Sequence, residues 1–110
     1  MVDVEFRTTT SSYGTFHSMK LSDNTYTIHN PDNDTPAIVW HNKQQENYNM
    51  GQLHSYDNKP AIVKANGDLY WFKDGLLHRD DNKPSIQLID GYNAWFKDGK
   101  MYHENKKRYI

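Results

Sequence analysis

The sequence predicts an all-β protein, an antiparallel meander of tandem 24-residue β-hairpin repeats. Short β-prone runs are separated by Asn-Gly and Asp-Gly pairs, which favour hairpin turns. No segment has the 3.6-residue apolar periodicity of a helix. A fixed spacing of 24 residues, the mark of a repeat architecture, separates Pro36, Pro60 and Pro84, and likewise Gly51, Gly75 and Gly99.

The repeat is clearest in two adjacent copies, 53–76 and 77–100, which are identical at 13 of 24 positions. A more diverged copy precedes them, and a truncated copy, MYHENKKRYI, ends the chain. The N-terminal segment matches no copy, and its β-branched threonines predict a strand that caps the array. We expect one domain, divided into the segment 1–28 and the copies 29–52, 53–76, 77–100 and 101–110.

Each copy holds two β-prone runs, PAIVK or PSIQL and then LYWFK or NAWFK. Asn-Gly or Asp-Gly joins the runs, and a polar loop ending in proline leads to the next copy. Because side chains alternate along a strand, we expect one face to form the core. The other face is then either covered by residues 1–28 or exposed as an aromatic strip. The predicted columns are Asn47, Trp71 and Trp95; Tyr48, Phe72 and Phe96; Ile38, Ile62 and Ile86; and Ala37, Ala61 and Ser85.

The phrase WFKDGLLH, with NGDLY before it, resembles the MORN repeat. This family follows its His with Gly-x-Gly, whereas the present chain has RDDNKPS. The chain therefore resembles a MORN-like variant of the G-x-x-H-x(5)-P-A-I kind, as in phages and large DNA viruses. The resemblance implies one β-hairpin per repeat, with the hairpins stacked into an elongated curved sheet that acts as a scaffold or interaction module. The altered loops argue against a lipid role. The residues on the family frame are Trp71, Gly75, His78, Gly91 and Trp95.

Composition narrows the class of partner. The chain has 13 basic and 14 acidic residues, whereas a nucleic-acid binder needs a basic face to replace counterions. No apolar run is long enough to span a bilayer, and the N-terminus lacks a signal pattern. The absence of cysteine fits a reducing compartment. We expect a cytoplasmic protein (in a host cytoplasm if viral) that needs no cofactor, nucleic acid or membrane.

Two recurring pairs, His54 with Asp57 and His78 with Asp81, raise the question of a metal or acid–base site. Ligands of a metal must converge from more than one element, so we favour histidines that support turns of the repeat. The acidic loops NPDNDTP and RDDNKP lack the calcium-loop spacing, and we expect Asx turns there. We interpret the remaining histidines as surface or rim residues: His17, His29, His41 and His103.

No nucleophile or phosphate-binding motif is visible, so we expect no enzyme, no catalytic residue and no metal. The aromatic column is the best functional signal, because aromatic residues are enriched at binding hot spots. The alternative is that the tryptophans form the core of a thin sheet. The candidate partner-binding residues are Trp71, Trp95, Tyr70, Tyr92, Trp40 and Arg79.

A meander also has two open edges. We interpret Lys106, Lys107 and Arg108 as charges that discourage unwanted pairing at the C-terminal edge. The N-terminal edge could instead pair with a second copy and form a homodimer. These residues fall at the two ends of the predicted array, away from the aromatic column.

The sequence therefore favours a protein-interaction module, most plausibly a small phage or viral factor that binds a host protein and inhibits or redirects it. The viral part rests on the resemblance. One alternative is a small-ligand binder, in which aromatic residues stack on a glycan or nucleotide and loop Asn and Asp residues donate or accept hydrogen bonds. Another is a structural component of an assembly, which should oligomerise alone.

Overall fold

A computed structural model describes residues 5–105 of the chain, and within them the fold is all-β, largely antiparallel and open, as predicted. Ten strands form one long sheet, and four more form two separate hairpins. The strands are β1 (Phe6–Ser11), β2 (Gly14–Lys20), β3 (Tyr26–Ile28), β4 (Ile38–Trp40), β5 (Gln45–Glu46), β6 (Tyr48–Asn49), β7 (Gln52–Leu53), β8 (Ile62–Val63), β9 (Leu69–Tyr70), β10 (Phe72–Lys73), β11 (Leu76–Leu77), β12 (Ile86–Gln87), β13 (Asn93–Lys97) and β14 (Lys100–Asn105).

The long sheet follows the chain as a meander in the order β1, β2, β4, β5, β8, β9, β12, β13 and β14, with β3 beside β2. The segment that precedes the first copy therefore extends the sheet at one end and does not lie over a face. The Cα radius of gyration is 15.7 Å and the principal extents are 56 × 30 × 19 Å. A compact domain of this length would have a radius of gyration of about 13 Å, so the molecule is elongated.

A corner residue in copies 29–52 and 53–76 directs the chain out of the long sheet and into a separate hairpin. The Trp71 N–H donates to the Ser85 carbonyl in the long sheet (2.7 Å), and the Trp71 carbonyl accepts from the His78 N–H in the hairpin (3.1 Å). Asn47 does the same in the preceding copy. At Trp95 the strand continues, and the register shifts there instead. Copies 29–52 and 53–76 thus each give two strands to the long sheet and lead into a separate hairpin, whereas β13 and β14 of the last copies stay in the long sheet.

The hairpin tips confirm the turn chemistry of the Asp-Gly pairs. Asp74 and Gly75 have φ of 50° and 85°, the positive pair of a type I′ turn. Asn66-Gly67 in the long sheet differs, because only Gly67 has positive φ (100°) and Lys64 N–H bonds to Asp68 O across three residues. The two kinds of Asx-Gly pair therefore make different turns.

Three histidines, which we call the histidine ladder, each join the end of one hairpin to the tip of the next hairpin. In each case ring Nδ1 accepts the N–H of the first residue of the following hairpin tip. His54 and His78 therefore support turns, as predicted. His29, interpreted as a surface or rim residue, is half-buried, and its ring has the same role. The bonds are Met50 N to His29 (2.9 Å), Asp74 N to His54 (3.3 Å) and Asp98 N to His78 (3.0 Å).

The core is thin and divided between both faces of the long sheet. Ala61 and Ser85 are fully buried on one face, next to Trp71 at 4% exposure. Ile38 and Ala94 are buried on the opposite face. The expectation that one face alone forms the core is therefore wrong, because small side chains let the corners pack closely on one face while aliphatic residues fill the other. Lys106, Lys107 and Arg108 lie outside the described residues.

We predict that Gly14→Ala destabilises the fold far more than Gly75→Ala. A Cβ on Gly14 would overlap the carbonyl oxygen of Val39 and lie 2.8 Å from Trp40 Cα, so backbone must shift. A Cβ on Gly75 meets nothing closer than 3.6 Å and costs only its positive φ. Urea unfolding should give a loss on the order of 3 kcal/mol for the first variant and about 1–2 kcal/mol for the second. Equal losses would contradict the β2–β4 approach.

We predict that His29→Asn removes part of the acid sensitivity of the fold. Burial lowers the pKa of His29 from its ordinary value of 6.5, so its ladder bond stabilises the fold fully above about pH 6.5. That stabilisation is lost as pH falls through the folded-state pKa. Asparagine keeps an acceptor oxygen but does not titrate. The free energy of unfolding should fall less steeply with acid for His29→Asn than for wild type or for the exposed-residue control His41→Asn; parallel curves would refute this.

Candidate interaction site

The structure divides the six candidate residues between two faces. Tyr70 pairs across the sheet with Ile86, and Ile86 with Ala94, so the three share a face. Because direction alternates along a strand, Trp71 and Trp95, each one residue further on, lie on the opposite face. We call the face with Trp71, Trp95 and Arg79 the tryptophan face, and the face with Trp40, Tyr70 and Tyr92 the tyrosine face.

Arg79 and Trp71 form the most constrained pair on the tryptophan face. The Arg79 guanidinium carbon lies 3.7 Å from the Trp71 ring centroid, a cation–π geometry. Arg79 Nε donates to Asn58 Oδ1 (3.2 Å) and Nη1 donates to the Pro84 carbonyl (3.1 Å). The Trp71 indole N–H donates to the Asn58 carbonyl (3.0 Å). Burial lowers the pKa of Arg79, which stays charged near neutral pH.

This packing changes what a partner would meet. Trp71 is 4% exposed, so its indole is part of the core and does not offer a contact surface. Arg79 is half-buried and covers it, so Arg79 is the surface at this position. The core alternative for the tryptophans therefore holds at Trp71. Trp95 is half-buried and keeps part of its surface open.

Each of the two tryptophans on the tryptophan face is covered by the residue eight positions later. Trp95 donates its indole N–H to the Asn82 carbonyl (2.9 Å), and the His103 ring lies over it with centroids 4.7 Å apart. His103, interpreted from the sequence as a surface or rim residue, is exposed, and its ring contacts this tryptophan. The covering group is thus the guanidinium of Arg79 at Trp71 and the imidazole of His103 at Trp95.

The presence of Arg79 requires a change elsewhere in its copy. In the preceding copy, Ser55 Oγ accepts the Phe72 N–H at the equivalent position (3.0 Å). Arg79 cannot do this, because a guanidinium carries only hydrogen-bond donors and no acceptor. Ser85, where the earlier copies have alanine, accepts the Phe96 N–H instead (3.0 Å) and donates to the Phe96 carbonyl (3.0 Å). The two differences between the copies are therefore physically linked.

Two clefts open on either side of Arg79. The first has a volume of about 270 Å³ and extends towards His54 and Lys73, and the second, of about 440 Å³, extends towards Lys100 and Tyr102. The hydrogen bond from His78 lowers the pKa of Asp80 on their common rim. Residues shared by both clefts are Arg79, Asp80 and Asp81, and the surrounding charges of the rim are Lys73, Lys97 and Lys100.

The tyrosine face has its own polar cluster around Glu46. This carboxylate accepts from the Trp40 indole (2.5 Å) and the Gln44 amide (2.9 Å), and from the Tyr48 hydroxyl (2.8 Å). Burial, with the bond to Glu46, raises the pKa of Tyr48 to about 12. Trp40 is thereby fixed beside Tyr13, which is 73% exposed, in an open cleft of about 420 Å³.

The other two candidates on the tyrosine face are engaged by neighbouring side chains. Lys64 Nζ lies 5.6 Å from the Tyr70 ring centroid. The Tyr92 hydroxyl donates to Glu104 Oε2 (2.8 Å), which raises the pKa of Tyr92. The structure therefore joins Trp71, Arg79 and Trp95 in one region and separates the other three from it.

Sequence reasoning missed several residues of these surfaces. Tyr13 and Tyr102 stand outside the aromatic column, and Glu46 has no equivalent in the later copies. A comparison of copies 53–76 and 77–100 at the Ser55 and Ala61 positions carries the signal for the linked Arg79 and Ser85, since both change together. Within residues 5–105, no three His, Asp or Glu side chains come together as a metal site.

No protein family, curated protein or solved structure matches the chain. The resemblance to MORN repeats stays a prediction from the quoted motifs. Among residues 5–105 there is no helix with the length and apolarity needed to cross a bilayer.

We predict that Ser85→Ala is costly alone and cheap in an Arg79→Ser background. Alone, it leaves the Phe96 N–H without its acceptor, at about 1–2 kcal/mol of unfolding free energy. With serine at position 79, the arrangement of Ser55 and Phe72 becomes available to the third copy. A double-mutant cycle by urea unfolding should give a favourable coupling of about 1 kcal/mol. Additive losses would show that the two positions are independent.

Proposed function

We propose that the protein is a non-enzymatic interaction module that binds another protein through the tryptophan face. The contact region is centred on Arg79 and includes the open part of Trp95. The observation that carries the proposal is the rigid Arg79–Trp71 pair between two clefts with a charged rim. A central aromatic–arginine anchor with a polar rim is the usual composition of a protein-binding patch.

The state of Arg79 favours a protein partner over a phosphate ligand. Its Nε and Nη1 already donate to Asn58 and to the Pro84 carbonyl, and one plane is stacked on Trp71. A fork that bound phosphate would need these donors. What Arg79 offers instead is a fixed planar surface that lines both clefts. Such a surface suits an aromatic side chain of a folded partner.

The charges around the clefts bear on the partner's electrostatics. Asp80 and Asp81 lie at the common rim, while Lys73, Lys97 and Lys100 surround it. A rim of both signs suits a partner of mixed charge, and it sets specificity and association rate more than affinity. The further proposal that the partner is a host protein, which a phage or viral factor would inhibit or redirect in the host cytoplasm, is supported by the motif resemblance alone.

A second candidate function rests on the cleft beside Trp40. Tyr13, Trp40 and Gln44 line it together with Glu46, and none of its lining residues is Lys or Arg. Aromatic surface with amide and carboxylate groups suits a neutral glycan, whereas a nucleotide would bring phosphate next to Glu46. Quenching of tryptophan fluorescence by neutral oligosaccharides, abolished in Trp40→Ala, would favour this function.

We predict that Arg79→Ala abolishes capture of a protein partner and that Arg7→Ala does not. Arg7 is a matched control, because its guanidinium also stacks on an aromatic ring, 3.8 Å from the Tyr26 centroid, but at the other end of the sheet. Tagged wild-type and variant proteins would be used as baits in lysate of the source or its host, with captured proteins quantified by mass spectrometry. The expected loss for Arg79→Ala is tenfold or more, the scale of about 1.4 kcal/mol.

Folding must be checked separately, since Arg79 also covers the core. Circular dichroism and thermal unfolding of each bait would show whether the variant retains its structure. Arg79→Lys keeps the charge but loses the planar stacking, and we expect it to bind nearly as weakly as Arg79→Ala. Full capture by a folded Arg79→Ala protein, or equal loss with Arg7→Ala, would remove the tryptophan face as the site.

A further inference from the structure

We propose that the free edge of β1 pairs antiparallel with β1 of a second copy, which gives a two-fold dimer with a continuous sheet. This inference concerns the end of the sheet opposite Arg79 and goes beyond the proposed function. All six residues of β1 are exposed, and within residues 5–105 the strand pairs only with β2. An edge of this length presents a row of unpaired backbone donors and acceptors.

The register of the β1–β2 pair identifies the outward groups. The Lys20 N–H donates to the Glu5 carbonyl (2.8 Å), so Glu5 and every second residue after it bond inward to β2. On β2, His17 opposite Thr8 donates its N–H away from β1, to the Ala37 carbonyl (2.7 Å), which agrees with this alternation. The outward backbone groups therefore belong to Phe6, Thr8 and Thr10.

Little in β1 discourages pairing, since its one charged side chain, Arg7, is stacked on Tyr26. Its sequence, FRTTTS, contains no proline and no lysine, and its ladder with β2 runs from Phe6 to Ser11 without a register shift. The opposite edge strand, β14, begins with Lys100, and its ladder with β13 has an irregularity between Trp95 and Phe96. Charges and bulges are the usual protection of an edge. Of the two edges, β1 therefore has fewer features that would block the addition of a strand.

Self-complementarity favours a second copy as the occupant. With the two-fold axis at Thr8, each Phe6 lies opposite Thr10 of the second copy, and all outward donors and acceptors are matched. Arg7 then lies opposite Thr9 of the second copy, so no like charges meet. A shift of the axis to Arg7 would bring two guanidinium groups together, which is unfavourable. β-Branched threonines suit the resulting central strands.

The arrangement also leaves existing contacts intact. The Arg7 guanidinium stays on Tyr26 of its own protomer, and the Thr8 hydroxyl stays bonded to His17 Nδ1 (2.9 Å). The pairing uses only backbone groups of β1 that have no partner strand within residues 5–105 of the protomer. In the dimer, the two Arg79 regions lie at the far ends of one extended sheet, because β1 and β14 are its opposite edges.

The first test compares Thr8→Pro with Thr8→Ala. Both lose the hydroxyl bond to His17, but only proline removes the outward N–H at the centre of the dimer. Analytical ultracentrifugation from micromolar to millimolar protein should find wild type and Thr8→Ala dimeric, with Thr8→Pro dissociating at concentrations at least tenfold higher than Thr8→Ala. Wild-type protein that stays monomeric throughout, or Thr8→Pro that dimerises as well as Thr8→Ala, would overturn the proposal.

The second test does not depend on tolerance of proline. The chain has no cysteine, so a single introduced thiol reports its own neighbours. In oxidised glutathione, Thr8→Cys should form a disulfide-linked dimer, because the two residues at the axis lie within disulfide reach. Thr10→Cys lies opposite Phe6 and should crosslink at least tenfold more slowly. Equal rates, or no crosslinking of Thr8→Cys, would refute the register.

Discussion

The fold depends on a hydrogen bond that no strand ladder supplies: a histidine Nδ1 that accepts a backbone N–H from the next hairpin tip. The first residue of a tight hairpin tip has an N–H that the strand ladder does not bond, and the ring nitrogen provides its acceptor. The acceptor must be a neutral ring with its proton on Nε2. At His78 that proton has a recipient, since Nε2 lies 2.9 Å from Asp80 Oδ1. Through these bonds the hairpins, which share no continuous sheet with one another, are held side by side.

The tryptophan face follows from this anchoring. The hairpin that follows a corner residue helps to hold that residue in place. A tryptophan on this face is covered by the side chain eight positions later, Arg79 over Trp71 and His103 over Trp95. With arginine at position 79, Ser85 supplies the hydrogen bond that Ser55 supplies one copy earlier. The repeat thus tolerates a large cation at its surface because its backbone groups are satisfied from another position. In copy 77–100 the structural hydrogen bond is therefore made from position 85, and position 79 carries the residue that we propose for binding.

The sequence carries the period, the strand class and the hairpin tips, because glycine and proline spacing depends on local conformation alone. It does not reveal His29 as a ladder residue, since His29 and His54 are 25 residues apart and one extra residue breaks the period. Nor does it separate Trp40 from Trp71, because the face of a side chain depends on where the chain leaves the long sheet. The paired change at Arg79 and Ser85 is visible in the sequence, but its physical link is not, since Arg79 contacts Trp71 and Asn58 of the preceding copy.

The elongated shape has a mechanical consequence. Each copy touches only its neighbours along the sheet, so stability accumulates as a chain of nearest-neighbour couplings. The terminal copies have one neighbour and open first, whereas the copy that contains Trp71 has neighbours on both sides. Amide protons such as that of Trp71, bonded to Ser85, should therefore exchange with solvent last. The free energy of local opening should therefore be highest in the middle of the molecule, beside the proposed binding surface.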